Sequence, residues 1–291
     1  MLDKKIIKKR NICSTDIEVI NGIPVIKYQS FCDIPGITHG FSTRIGGVSS
    51  GIYESMNLSL TRGDDPEKVM DNFRLFGNAV GIKTSQMVFT DQTHTTNVRV
   101  VTKEDTGKGI LRERDYKDID GFVTNCPGVG LVTFYADCMP LFFADPCKKV
   151  IALSHSGWRG TVGKIGAKTV GMMTDVFGCR PENIVAAIGP SICGDCYEVS
   201  SDVAEAFKAV FKKEQYEAMI LCKGDGKYQL DLWKANAFIL EDSGLLKRNI
   251  SMPDICTCCN PESMWSHRKT GAHRGSLAAF LMITEGLNDY S

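Results

Sequence analysis

One thiol and two imidazoles are the residues with chemistry to offer. Cys138 lies in the run GFVTNCPGVGLVTFYADCMPLFFADP, which begins at Gly121. Apolar, β-rich stretches flank the thiol, and a further one from Val150 to Leu153 leads to His155 and then Gly157-Trp158-Arg159-Gly160. Neighbouring strands would hold a thiol and an imidazole at their ends, at the rigid edge of a sheet where sites are usually built. His94 comes from the earlier polar segment Asp91-Gln92-Thr93-His94-Thr95. The working expectation is that His94, Cys138 and His155 bind one metal ion. Three ligands from separate strand ends, with a fourth position open, is the pattern of catalytic zinc, which polarises a substrate or lowers the pKa of a bound water to about 7. The same residues also read without metal, with Cys138 as nucleophile and His155 as base, or with Cys138 as a core thiol. A lone His in a polar turn is more often a hydrogen-bonded surface residue than a ligand. Spacing alone leaves these readings open.

The histidine count excludes some chemistry. Five are present: His39, His94, His155, His267 and His273. A multicopper oxidase needs a blue-copper site plus a trinuclear cluster fed by many imidazoles, and no His-x-His pair occurs. Cys138-Met139 imitates a blue-copper cysteine, but a Met adjacent in sequence is a poor axial ligand. Zinc is therefore expected rather than copper. The H-x-E and P-C-x-x-C signature of zinc deaminases is absent in its usual form. Cys193-x-x-Cys196, together with Cys256, Cys258 and Cys259, reads either as a structural zinc site or as a cluster of buried thiols. The run Cys256-Thr257-Cys258-Cys259 is not read as a second pair of standard spacing.

The elements that position these residues follow from local signals. Asp16 to Tyr28 is a hairpin, because Asn21-Gly22 suits a turn with positive φ at both central residues. A short strand at His39 to Ser42 enters a Gly/Ser-rich loop from Arg44. With Gly46, Gly47 and Gly51, that loop reads as an anion cradle in which Arg44 offers a fork to phosphate, or as an ordinary flexible loop. Its spacing matches neither a P-loop nor a dinucleotide fingerprint. Asp65 caps a helix that starts at Pro66 and has Val69, Phe73, Phe76 and Val80 on one face. Two strands between Gln86 and Thr102 bracket the His94 turn. Lys103 to Asp118 reads as an exposed loop or flap. Asp120 to Pro140 and Lys149 to Ser154 carry strands covered on both faces.

A helix is expected over Thr161 to Phe177, its positive N-terminus turned toward His155 and suited to an anion. Asn183 to Ile188 is a buried strand, and Ser201 and Asp231 cap further helices. Leu277 to Ile283 is helix or strand; its periodicity does not decide.

The bulk composition narrows the classes of function. The 291 residues are 43% hydrophobic, and no linker or repeat is visible, so a single α/β domain over residues 1–291 is the simplest expectation. Lys+Arg 34 balances Asp+Glu 34. Without positive excess, neither nucleic acid nor an acidic lipid surface is an expected partner. The basic N-terminal run lacks an apolar signal-peptide core and reads as a solvated end; no apolar run is long enough to span a bilayer. A soluble cytoplasmic protein is expected. The 12 Cys are then mostly reduced and buried.

The segments HGFSTRIGGVSSG, DQTHT, DGFVT, ADCMPLFFADP, HSGWRGTVGKI, AAIGPSI and SHR, in this order from about His39 onward, resemble one family. It was first labelled multicopper polyphenol oxidase (laccase) and is also called peptidoglycan editing factor. Its members are described as purine nucleoside phosphorylases with adenosine deaminase and methylthioadenosine phosphorylase activities. The resemblance implies a layered α/β/β/α sandwich of mixed sheets, similar to deamidases that use a Cys–His pair. It also implies zinc on His94, Cys138 and His155, and phosphate and nucleoside contacts at Ser42, Arg44 and Arg159. The CxxC and the Cys256–Cys259 run depart from the commonest pattern of the family. The implied function is a zinc-dependent purine nucleoside phosphorylase taking adenosine, inosine or methylthioadenosine with phosphate, with adenosine deamination beside it. The alternative is a Cys–His amide hydrolase acting on a peptidoglycan precursor. No general acid is evident; Asp137, Asp91 and Gln92 are only neighbours in sequence.

Overall fold

A computed structural model describes residues 6–9 and 14–285. Its strands run in chain order as β1 (Thr15–Ile20), β2 (Ile23–Tyr28), β3 (Ile37–Ser42), β4 (Met87–Phe89) and β5 (Val98–Val100). Then come β6 (Gly121–Thr124), β7 (Gly130–Tyr135), β8 (Met139–Asp145), β9 (Val150–Ser156) and β10 (Val185–Ile188). The last are β11 (Glu198–Ser200), β12 (Ile220–Gly224), β13 (Lys227–Leu230), β14 (Ile250–Ser251) and β15 (Leu277–Ile283). One sheet has the order β1-β2-β3-β15-β7-β4, a second β14-β10-β8-β9-β6-β5, and a small third β11-β13-β12.

The two large sheets pack face to face, and each carries helices on its outer side. Ile26, Phe41, Leu131 and Leu281 from the first sheet meet Phe122, Phe142, Ile151 and Leu153 from the second. Outside the first sheet lies the helix Pro66–Val80, whose Val69, Phe73 and Phe76 pack on Val25, Val132 and Phe280. Outside the second, Leu141, Phe143 and Ala152 meet Ile165, Val170 and Met173 of one helix and Ala235, Ile239 and Leu240 of another. The result is the expected α/β/β/α sandwich of mixed sheets.

Local signals held where a short stretch decides its own shape. Asn21 and Gly22 both have positive φ, +52° and +82°, and β1 pairs antiparallel with β2 across them. The Asp65 carboxylate accepts from the Glu67 N–H at 2.9 Å to cap its helix, and Asp231 caps the helix Leu232–Asp242. Leu277–Ile283 is a strand, antiparallel to both β3 and β7 in the middle of the first sheet. Leu277, Ala279 and Leu281 face the other sheet, while Ala278, Phe280 and Met282 face the helix. Burial on both faces removes the polar alternation that would have marked it as a strand.

Several expectations are corrected. The helix over Thr161 to Phe177 is two helices, Trp158–Val162 and Ile165–Phe177, broken at Lys164, which adopts φ +57°. The end nearest His155 is thus a five-residue helix. The helix after β11 takes Ser200, not Ser201, as its N-terminal flanking residue. Lys103 to Asp118 is anchored rather than a free flap. The ammonium of Lys108 lies 2.7 Å from Asp105 and 2.9 Å from Asp115, and the buried Tyr116 donates to the Phe89 carbonyl. A buried ammonium needs such carboxylates, and they pin the segment. In the basic N-terminal run, residues 1–5 and 10–13 lie outside the described residues. Lys8 and Lys9 pair with Asp254 and Asp195 at 3.2 and 3.0 Å instead of pointing into solvent. No helix among the described residues is long and apolar enough to cross a membrane.

Phe280 is fully buried, with its ring 4.9 Å from that of Phe76. Phe280→Ala should cost about 3–5 kcal/mol of folding stability, read from urea unfolding, because it leaves a cavity between the first sheet and its helix.

Candidate metal centre

Two of the three candidate ligands sit where the chain crosses from one sheet to the other. Residues 90–97 connect β4 of the first sheet to β5 of the second, and His94 lies on that connection. Residues 136–138 connect β7 to β8 in the same way and carry Cys138. Because β4 and β7 are parallel neighbours, both crossings emerge at the same end of the sandwich. His155 is near the end of β9, opposite Pro140 of β8. The ligand atoms of His94, Cys138 and His155 all lie within 4.8 Å of one another. The Cys138 sulfur is 3.9 Å from His94 Nε2, and the two imidazole rings stand 4.9 Å apart at 79°.

Asp120 organises this cluster. Its carboxylate is fully buried and lies 2.8 Å from Nδ1 of His155. It also accepts the N–H groups of Thr93, His94 and Thr95 at 3.1, 3.2 and 2.8 Å, and the Thr95 hydroxyl at 2.9 Å. One side chain therefore shapes the turn that bears His94, where φ is +65°, and orients the ring of His155. A carboxylate on Nδ1 leaves Nε2 as the ligating atom, the usual support of a metal-binding histidine. Burial works to raise the Asp120 pKa, but the bonds from His155 and Thr95 outweigh it and hold the group ionised.

The electrostatics suit a thiolate. Burial alone would push the Cys138 thiol up, yet the facing His155 and His94 bring it down to about 6. Burial alone would lower His155, but Cys138 and Asp120 raise it to about 9. His94 is exposed, so the cluster opens to solvent on its side. Gly157 makes room for it. A Cβ at this position would stand 3.0 Å from both the Cys138 sulfur and a carbon of the His94 ring.

The chemistry of the donor set fits a borderline-soft ion. One thiolate and two imidazoles with an open side match a catalytic zinc site. Copper of the blue type also uses His2Cys but adds a weak axial thioether. Met139 does not supply it, since its sulfur lies in the helix-covered core and accepts from Asn236 at 3.7 Å.

The substrate candidates are placed less directly. Among the described hydrogen bonds, none joins Ser42, Arg44 or Arg159 to the three ligands. Ser42 is fully buried, and its hydroxyl accepts from the Ala278 N–H. Arg44 stacks on Trp265 at 3.8 Å and donates to the carbonyls of Glu54 and Pro261. Arg159 is exposed and lies over Trp158 at 4.3 Å. The three sequence neighbours are already engaged. Asp137 accepts from Thr257 and from the Arg268 N–H, Asp91 pairs with Arg114, and Gln92 is bonded both ways to the Phe134 backbone. His39 is a core residue whose Nε2 accepts from the Tyr28 N–H; burial holds its pKa down at about 3.

Sequence reasoning missed Asp120 as a partner of the site, although an acid immediately before a buried strand was a visible signal. It also missed Arg274. This guanidinium is buried, its Nε finds no partner among the described residues, and burial together with Arg62 lowers its pKa to about 10, partly offset by Asp137 and Cys138.

Fold and site together define an α/β/β/α protein with a mixed thiol–imidazole centre between its sheets. Residues 38–284 match the family described as multi-copper polyphenol oxidoreductase laccase, and the chain belongs to that family. It is similar to the purine nucleoside phosphorylase YlmD of Bacillus subtilis (strain 168), 39% identical over 84% of this chain and 88% of that one. It is also similar to the adenosine deaminase RL5 of an unknown prokaryotic organism, 33% identical over 81% and 90%. Among solved structures, the hypothetical protein YfiH of Bacillus licheniformis superposes with a TM-score of 0.87 at 28% identity, over 92% of this chain and 99% of that one.

Two substitutions test the centre. Asp120→Asn should weaken zinc binding about 10–100-fold, measured by competition with a chromogenic chelator, because the orienting charge on His155 is lost. Gly157→Ala, at φ −81° where alanine is unstrained, should lower zinc per chain while leaving the thermal midpoint nearly unchanged. Full zinc content in Gly157→Ala would count against an ion shared by the three residues.

Proposed function

We propose that this chain is a zinc-dependent purine nucleoside phosphorylase of the cytoplasm. It would convert adenosine, inosine or methylthioadenosine and phosphate to the free base and the corresponding sugar 1-phosphate, with adenosine deamination at the same centre. The observation that carries this reading is the convergence of one thiol and two imidazoles at an open site, with Asp120 fixing the geometry. The phosphorylase and deaminase names of its relatives support it. His94, Cys138 and His155 would hold the ion. Zinc bound there would supply a Lewis acid.

The remaining work falls to the chain's own groups. In phosphorolysis a phosphate oxygen bonds to the anomeric carbon as the glycosidic bond breaks, and the bonding pair leaves with the purine. Positive charge grows on the ribose and negative charge on the base, so the site must hold an anion and balance its charge. Arg159, exposed on Trp158, is the residue proposed to touch phosphate or nucleoside. Arg44 already donates to two carbonyls, so its proposed part is positive charge and the shape of the loop that follows. Ser42 would act from behind, by fixing that loop's root against β15. Arg274 adds a buried positive charge whose field reaches Cys138.

Purified protein given inosine should release hypoxanthine and ribose 1-phosphate only when phosphate is present. Cys138→Ala should lower that rate about 100-fold or more, together with zinc content. Hypoxanthine release independent of phosphate would sink the phosphorylase reading. Turnover that survives chelation but is abolished by thiol alkylation would favour a Cys–His amide hydrolase.

A further inference from the structure

A second set of sulfur atoms lies away from the first. Cys193 and Cys196 follow β10, and Cys256 and Cys259 follow β14; these two strands are parallel neighbours in the second sheet. Cys256 and Cys259 are themselves a CxxC pair, which the intervening Cys258 disguises in the sequence. The four sulfur atoms lie within 4.8 Å of one another. Cys196 and Cys259 are 3.4 Å apart. That is far beyond a disulfide bond of about 2.05 Å. It is close to the edge of about 3.8 Å expected when four sulfurs surround zinc tetrahedrally at about 2.3 Å.

The loops are shaped for this. The N–H groups of Cys196 and Tyr197 both donate to the Cys193 carbonyl, which closes a tight turn around the first pair. The Cys193 N–H donates to the Cys256 sulfur at 3.2 Å, a bond that favours a thiolate there. Asn260 donates to the Cys256 carbonyl at 2.8 Å and steadies the second turn. Cys193 and Cys256 are buried, whereas Cys196 and Cys259 are partly exposed and leave a path for an ion. Packing of small apolar thiols gives no reason for four sulfurs from two loops to face one point.

We propose that Cys193, Cys196, Cys256 and Cys259 form a structural zinc site, separate from the centre at His94, Cys138 and His155. Four thiolates close the coordination shell and leave no position for a substrate, so the role is structural. What the ion ties together is specific. Ile192, beside Cys193, donates its N–H to the Asp137 carbonyl at 3.0 Å. Thr257, beside Cys256, donates its hydroxyl to the Asp137 carboxylate at 2.6 Å. Asp137 is held at φ +87° immediately before Cys138. The second site thus clamps both loops that hold the backbone behind the catalytic thiol.

Metal analysis of the full chain, expressed with zinc and purified without chelators, tests this. About two zinc per chain are expected in the wild type, and one each in Cys138→Ser and Cys259→Ser. Cys258→Ser, the control, should keep two. Loss of the structural ion should lower the thermal midpoint of Cys259→Ser by on the order of 10 °C. Should Cys259→Ser fail to fold, Cys138→Ser decides alone. Loaded with cobalt, it should show the intense charge-transfer absorption of a four-thiolate site. Folded Cys138→Ser without zinc, or with iron in its place, would overturn the assignment.

Discussion

The site depends on a single buried carboxylate. Asp120 has no exposed surface, and an ionised group there is tolerable only because every nearby donor turns toward it. Those donors are the backbone of the His94 turn, the Thr95 hydroxyl and the His155 ring. The cost of burying the charge is thereby converted into geometry. A turn with a left-handed histidine is held in place, and an imidazole two strands away is aimed at the same point. Removing the charge would not merely lose one hydrogen bond. It would release two of the three candidate ligands together, since both take their orientation from the same oxygen atoms.

The sandwich explains why this point falls where it does. A chain that feeds two facing sheets must cross between them, and each crossing places irregular backbone at one end of a rigid stack. Here two crossings leave parallel neighbours, β4 and β7, and so arrive together. The tyrosine at the end of β7 lies 5.6 Å from His155 and closes the inner side of the cluster. Cys138 and His155 are thus held at strand ends, and His94 by a turn fixed on Asp120, which keeps the three atoms close together.

What was readable in the sequence was mostly what is local. The Asn21-Gly22 turn and the Asp65-Pro66 helix start are decided by the φ preferences and side-chain oxygens of a few residues. The grouping of His94, Cys138 and His155 was readable because imidazoles are few and Cys138 stands next to a strand. Which sheet each strand joins was not readable, for β7 and β8 are three residues apart in sequence and belong to different layers. The kind of element at Leu277–Ile283 was hidden by burial on both faces. The break at Lys164 was hidden because a lysine at positive φ carries no local signature. The small third sheet escaped because its strands are short and exposed and alternate only weakly. The second CxxC was obscured by a neighbouring cysteine that takes no part in it.

The metal and thiol-nucleophile readings use one pair of residues, and they differ in what they ask of a third, His94. The facing imidazoles bring the Cys138 thiol down to about 6, and Cys138 and Asp120 raise His155 to about 9, so the pair favours thiolate and imidazolium. A thiol hydrolase would use that pair as it stands, with the imidazolium ready to protonate a leaving group. It would have no need of a second imidazole on the sulfur. Yet the chain adopts an unfavourable backbone conformation at His94, enforced by Asp120, to place that ring's Nε2 3.9 Å from the thiol. A group bound by all three atoms at once would make use of that strain. A cation would do so, and it would also give a use to Gly157, since the clearance a missing Cβ leaves lies between the sulfur and the ring of His94. An ion held there would take the place of a proton on His155, so the carboxylate that fixes the ring would also make that proton harder to displace.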